Sequence, residues 1–163
     1  MRFFILPGFK NNDVDEFLTN FLKIYLTFFS KIMLFFFKIL QIKTKNPNVK
    51  VIGVQSKSFP SMKNSIDSGK LETVDGGFTV ADGISVKTPG KQTFEIIKNM
   101  IDEIVLIDDE EIIKAMFLLM ERSKVVVEPA GAAGLAYLIS KKPSSGKKVV
   151  PILCGGNVDM YLL

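Results

Sequence analysis

Two short runs carry the residue types from which a binding site could be built: Glu128-Pro129-Ala130-Gly131 and Cys154-Gly155-Gly156-Asn157. Each follows a short apolar stretch rich in β-branched residues, Val125–Val127 in the first case and Lys148–Leu153 in the second. Beyond the carboxyl end of a strand in a parallel sheet, glycine and alanine let the backbone approach a bound molecule closely. A carboxylate or a thiol in the same run supplies a directed polar contact. Residue types alone leave a second reading open for both runs, that of a tight turn. A lone Cys at a strand end also suits a small core residue.

Other candidate chemistry falls away on spacing. Asp108–Glu111 is acidic, but it lacks the Gly and the ligand spacing of a calcium loop; Asp108-x-x-Glu111 fits a capping box that opens a helix. The run PSSGKK at 143–148 lacks the first Gly and the Ser/Thr after Lys that a phosphate loop needs, and reads as a surface turn. The 163 residues contain no His and one Cys. That excludes Ser-His-Asp and Cys-His catalysis, His-ligated metals, an internal disulfide and a Cys-cluster zinc site. With 21 Lys+Arg against 17 Asp+Glu, the net charge of +4 does not mark a nucleic-acid binder.

The elements that would position these runs alternate between strand and helix. Val49–Val54 reads as a buried strand, Ser61–Ser68 as a short helix stopped by Gly69, and residues 72–90 as a loop with Asp75-Gly76-Gly77, Ala81-Asp82-Gly83 and Pro89-Gly90. Gln92–Ile101 has helical spacing at Phe94, Ile97 and Ile101, and Glu103–Ile107 is a second short apolar strand. The helix capped at Asp108 is expected to run to about Arg122, with Ile112, Ile113, Met116 and Met120 inward. Val125–Val127 and Lys148–Leu153 are expected as further strands, and a small-residue helix starts at Pro129-Ala130. Strand–helix alternation implies parallel β-α units, hence an α/β fold.

Residues 1–44 differ in texture. They hold ten of the 14 Phe and carry six basic and three acidic groups, whereas residues 45–163 carry fifteen and fourteen. From Phe17 to Ile42 the chain is long and apolar, but Lys23, Lys31 and Lys38 interrupt it, which disfavours a simple spanning helix. On a helical wheel the polar residues fall inside an arc of about 120°, giving an amphipathic helix with a wide apolar face. Three readings stand: a helix packed on the following domain, a basic helix in a membrane interface, or Phe-, Ile- and Lys-heavy sequence of the kind AT-rich DNA encodes ahead of a shortened gene. The polar cluster Thr44–Asn48 marks the change to the second segment.

In order along residues 45–163, Val51-Ile52-Gly53-Val54-Gln55, Ala81-Asp82-Gly83-Ile84-Ser85-Val86, Pro89-Gly90, Asp102-Glu103-Ile104-Val105, Asp109-Glu110-Glu111-Ile112, Val127-Glu128-Pro129-Ala130-Gly131-Ala132 and Cys154-Gly155-Gly156-Asn157-Val158-Asp159 resemble the C-terminal half of the threonine/serine dehydratases. The resemblance implies a partial three-layer parallel-sheet domain of the tryptophan-synthase-β type (fold type II), with the amphipathic helix added in front. It implies pyridoxal phosphate as cofactor, a small amino acid as substrate, a cytoplasmic place in amino-acid metabolism such as isoleucine biosynthesis, and conversion of L-threonine to 2-oxobutanoate and ammonia. By the same resemblance Cys154 takes the position that hydrogen-bonds the cofactor's pyridine nitrogen. Gly155 and Gly156 pass beside the ring, and Gly83 and Glu128 lie near it. Glu128 reads equally as a helix-entry carboxylate.

The resemblance also shows what residues 45–163 lack. The lysine that binds the cofactor, which the family carries in a Ser-x-Lys-type motif of its N-terminal part, has no counterpart here, no Ser-x-Gly-Asn-His segment is present, and Leu34-Phe35-Phe36-Phe37 stands where a Gly-rich phosphate loop is expected. Some relatives hold a divalent cation through carboxylates at the positions of Gln55 and Ser61; neither residue is a carboxylate, so no metal is expected there. No catalytic residue is assigned. The expectation is a C-terminal dehydratase fragment, 45–163, behind a helical segment of unknown role, 1–44, inactive alone. Two alternatives accompany it: a non-catalytic partner of an intact dehydratase or of a separate N-terminal half, and membrane contact through residues 17–42.

Overall fold

A computed structural model describes residue 39 and residues 41–141, 148–156 and 158. The expected helix Phe17–Ile42, apart from its last residues, the run Leu34–Phe37, most of the turn at 143–148, and Asn157 lie outside the described residues. The chain divides into two compact units, Met1–Val49 and Lys50–Leu163. In the first, residues 41–45 are helical. The polar cluster then turns: the Asn46 N–H donates to Ile42 O (2.8 Å) and the Val49 N–H to Asn46 O (3.1 Å).

The second unit is built on strand β1 (Ile52–Ser56) paired in parallel with β2 (Glu103–Ile107). The register sets Ile52 against Glu103 and Ser56 against Ile107. Parallel neighbours cannot be joined by a hairpin. The crossover here contains helix α1 (Ser61–Ser68), the loop 72–90 and helix α2 (Lys91–Met100). Helix α1 turns serines inward and satisfies them. Ser61 Oγ donates to Val86 O (2.5 Å), and Ser65 Oγ donates to Ser61 O (2.7 Å) while accepting from the Glu72 N–H (2.8 Å). Gly69 ends α1 at φ 74°, a left-handed conformation that glycine adopts without strain.

Helix α3 (Asp109–Leu118) begins as its capping box predicts. Asp108 Oδ1 accepts from the Glu111 N–H, and Glu111 Oε2 accepts from the Asp108 N–H, both at 3.0 Å. A π-helical turn (Leu119–Ser123) follows, and Lys124 closes it at φ 55°. Helix α4 (Pro129–Lys141) packs on α3 through small residues. Ile107, Ile112, Ala115, Met116 and Leu119 meet Val127, Ala132, Ala133 and Ala136, with Ala81 from the loop closing one side. The small α4 side chains let α3 approach closely, so each aliphatic group of α3 in this cluster is desolvated.

Three expectations are corrected. Ile113, expected inward, is 37 % exposed, and Met120 is only partly buried; the buried row is Ile112, Ala115, Met116 and Leu119. The narrow apolar face of α4 covers one i, i+3, i+4, i+7 stripe and leaves the adjacent row in solvent. Val125–Val127 and Lys148–Leu153 form no strands among the described residues. Val126 and Val150 are 53 % and 65 % exposed. A β-branched run becomes a strand only when a neighbouring edge takes its N–H and C=O groups. Among the described residues β1 and β2 pair only with each other.

Candidate functional site

Loop 72–90 is held at its neck and along one side. At the neck the Val74 N–H donates to Lys87 O (3.0 Å), and the hydroxyls of Thr73 and Thr88 are 2.9 Å apart. Along the side, Thr79 Oγ1 donates to Asp109 Oδ1 (2.6 Å), the Val80 N–H donates to Asp109 Oδ2 (2.9 Å), and Ser56 Oγ donates to Thr79 Oγ1 (3.2 Å). Ala81 is then fully buried, and a single 3₁₀ turn (Asp82–Ile84) follows it. Its backbone bonds are Ile84 N–H to Ala81 O and Ser85 N–H to Asp82 O, both 3.0 Å.

That turn delivers Gly83 to the start of α4. A Cβ built on Gly83 would stand 3.0 Å from Ala130 Cβ and 3.9 Å from Glu128 Oε1. Glu128 lies between buried Val127 and Pro129, whose fixed φ suits the first helical position and which needs no N–H bond there. The Glu128 carbonyl accepts from the Ala132 N–H (3.0 Å), and its own N–H donates to Gly155 O (3.3 Å).

Segment 154–156 lies against the same helix start. A Cβ on Gly131 would overlap the carbonyl oxygen of Cys154, and one on Gly155 would overlap the Glu128 carboxylate. Gly155 sits at φ 76°. The two runs singled out in the sequence therefore form one surface, with Gly83 as its third contributor. Gly156 is exposed, and a Cβ there would meet nothing within 4 Å. Cys154 is not buried as a core residue would be. What the sequence did not reveal is the Ser56–Thr79–Asp109 chain that carries the loop. Its one visible signal was that the first turn of α3 holds two acids, Asp109 and Glu110, beyond the pair that the capping box uses.

Exposed glycine backbone of this kind could admit a flat ring at close range. Gly83, Gly155, Gly156 and Cys154 are all solvent-exposed; the Glu128 carboxylate lies over Gly155, Ala130 stands against Gly83, and Gly156 has open space beside it. No phosphate cradle of successive glycine N–H groups is found among the described residues. The helix start that could attract an anion already carries the Glu128 carboxylate. Among the described residues no group of three or more His, Cys, Asp or Glu side chains could hold a metal ion. Gln55 and Ser61 instead bond to one another (Nε2 to Oγ, 3.4 Å), and Gln55 Oε1 accepts from the Lys63 N–H (3.0 Å).

The profile of the pyridoxal-phosphate dependent enzymes matches residues 35–155, so the match begins inside the Phe-rich segment. An L-threonine ammonia-lyase of Thermotoga maritima is 48% identical over 122 residues, which cover 75% of this chain and 30% of that protein. A catabolic L-threonine dehydratase of Escherichia coli is 43% identical over 122 residues, 73% of this chain and 37% of that one. Among solved structures, maize serine racemase superposes with a TM-score of 0.71 at 32% identity, covering 78% of this chain and 40% of its own. The chain spans about a third of the length of the curated relatives it matches.

Proposed function

The chain belongs to the family of pyridoxal-phosphate dependent enzymes, and from that premise we propose that residues 45–163 form the ring side of a threonine/serine dehydratase site. We propose further that these 163 residues alone do not turn over threonine. The observation that supports the first part is the meeting of Gly83, Glu128 and Gly155 from three separate stretches of chain. When bound, pyridoxal phosphate would supply an electron sink for the substrate's α-carbon, so that L-threonine loses its α-proton and β-hydroxyl as water and the released imine takes up water and loses ammonia to leave 2-oxobutanoate.

Cys154 offers the pyridine nitrogen a weak, neutral partner that does not hold the nitrogen protonated as a carboxylate does. Gly156 would give the ring room beside the backbone, and Gly155 would do so once the Glu128 carboxylate moves off it. Glu128 and Gly83 close the cofactor-facing side of the α4 start. The lysine and the phosphate cradle belong to a complementary segment bearing a Ser-x-Lys motif and a Gly-rich loop, the partner this reading requires. The same reading places the protein in the cytoplasm. Among the described residues no helix is long and apolar enough to cross a membrane.

The test is to titrate the purified chain with pyridoxal phosphate and assay 2-oxobutanoate from L-threonine. The expected result is no threonine-dependent oxo acid from the chain alone, and activity when a segment with the Ser-x-Lys and Gly-rich motifs is co-expressed. Turnover by the purified chain alone sinks the second part of the proposal. Complementation that is untouched by Cys154→Ala, Gly155→Val and Glu128→Ala sinks the first.

A further inference from the structure

Among the three acids in the first turn of α3, Asp109 does something the helix does not need. Asp108 and Glu111 already complete the cap between themselves. The half-buried Asp109 carboxylate turns outward from the helix end and spends both oxygens on the loop: Oδ1 on the Thr79 hydroxyl and Oδ2 on the Val80 N–H. Thr79 Oγ1 in turn accepts from Ser56 Oγ, which is 1 % exposed at the end of β1, and from the Ala81 N–H (3.2 Å). Two further residues along, Gly83 rests against Ala130 and Glu128.

We infer that Asp109 is a positioning residue for the Ala81-Asp82-Gly83 turn, fixing through Thr79 and Val80 where Gly83 meets the start of α4. The bonds run from a fixed strand end and a fixed helix end to consecutive residues of an otherwise exposed loop. Position is therefore set from two rigid elements, which a loop carrying part of a site requires. The functional consequence rests on the proposed cofactor side; the clamp itself does not.

The test follows amide hydrogen exchange in the full chain. Asp109→Ala is expected to speed exchange at Val80, Ala81 and Ile84 by about tenfold or more, as loss of a charge-assisted bond requires, while interior amides of α2 keep their rates. Asp109→Asn is expected to fall between the parent and Asp109→Ala, because its Oδ1 still accepts from Val80 whereas its amide N–H faces a Thr79 Oγ1 that already accepts from Ser56 Oγ and the Ala81 N–H. Thr79→Val, which leaves the α3 cap and the Val80 N–H bond to Asp109 intact, is expected to speed exchange at Ala81 and Ile84 but less at Val80, and covers the case in which Asp109→Ala does not fold. Unchanged loop rates in the alanine and valine variants overturn the inference. So does acceleration that is equal in α2 and the loop, or an asparagine variant as fast as the alanine one. The readout uses neither cofactor nor substrate, so its failure leaves the proposed function standing. An inactive complemented site likewise leaves the clamp standing.

Discussion

The carboxylate of Glu128 lies directly over the α-carbon of Gly155, in the space a Cβ would need, and the Glu128 N–H donates to the Gly155 carbonyl at 3.3 Å. Glycine is required there twice over, once for its φ of 76° and once for the carboxylate above it. Its neighbour Gly156 has neither constraint.

Gly155→Ala is therefore expected to cost about 2 kcal/mol or more, from left-handed strain plus displacement of Glu128. Gly156→Ala is expected to fall within about 0.5 kcal/mol of the parent. Urea midpoints at constant m-value check both. Adding Glu128→Ala to Gly155→Ala should recover the overlap share of the loss but not the strain, so the double variant should be less destabilised than the sum of the singles. Strict additivity would show that the two residues do not touch in solution.

The corrected face of α3 gives a second contrast. Ile112 is fully buried against α4, and Ile113, one residue on, is 37 % exposed. Ile112→Ala is expected to cost about 2–5 kcal/mol and Ile113→Ala less than about 1 kcal/mol, measured by denaturant unfolding. Equal costs would place Ile113 in the core after all.

Lys50 and Glu103 give the expected pH dependence. The Lys50 ammonium donates to Glu103 Oε2 at 2.6 Å, and that bond with the carboxylate's charge raises the lysine pKa above its ordinary 10.5. A raised lysine contributes stability that is fully present below about 10.5 and is lost as pH rises through the folded-state value. The melting-temperature gap between the parent and Lys50→Met should be small at neutral pH, because the pair is exposed. It should narrow further with salt and vanish above that range. A gap that widens above pH 10.5 would reverse the sign argued here.

The parts of this molecule that were legible in its sequence are those whose cause is local. The Asp108–Glu111 cap, the stop at Gly69, the first-turn proline at Pro129 and the strand Glu103–Ile107 each depend on a few adjacent residues, and each is found as expected. Val125–Val127 and Lys148–Leu153 looked just as strand-like, but a strand is a property of two edges, and β propensity cannot supply the second one. The motifs pointed to both halves of the candidate surface, Glu128–Gly131 and Cys154–Gly156, without showing that they touch. That contact depends on a backbone carbonyl, which no residue type announces. The Ser56–Thr79–Asp109 chain stayed hidden for a related reason: its members are short polar residues, ordinary in any loop or cap, and only the crossover brings them together.

The sharpest test of that hidden contact is the pair of glycines inside α4. On helix propensity alone, both Gly131→Ala and Gly134→Ala should stabilise, each by up to about 1 kcal/mol. Their surroundings differ. A Cβ at Gly134 would find its nearest neighbours, Ile152 O and Pro151 Cβ, at 3.7 Å, ordinary van der Waals contact. A Cβ at Gly131 would overlap the Cys154 carbonyl oxygen and stand 2.9 Å from Val127 Cγ1. A backbone carbonyl cannot swing aside as a flexible side chain does, so segment 154–156 has to lift off the helix. The Glu128 N–H then loses its bond to Gly155 O. The propensity gain at Gly131 is outweighed, and the variant is expected to lose about 2–3 kcal/mol, with faster amide exchange at Glu128. Gly134→Ala is expected to raise the urea midpoint and leave that amide unchanged. If both variants are stabilised alike, the Cys154–Gly156 segment does not rest on α4, and the surface assigned to the cofactor does not form in this chain.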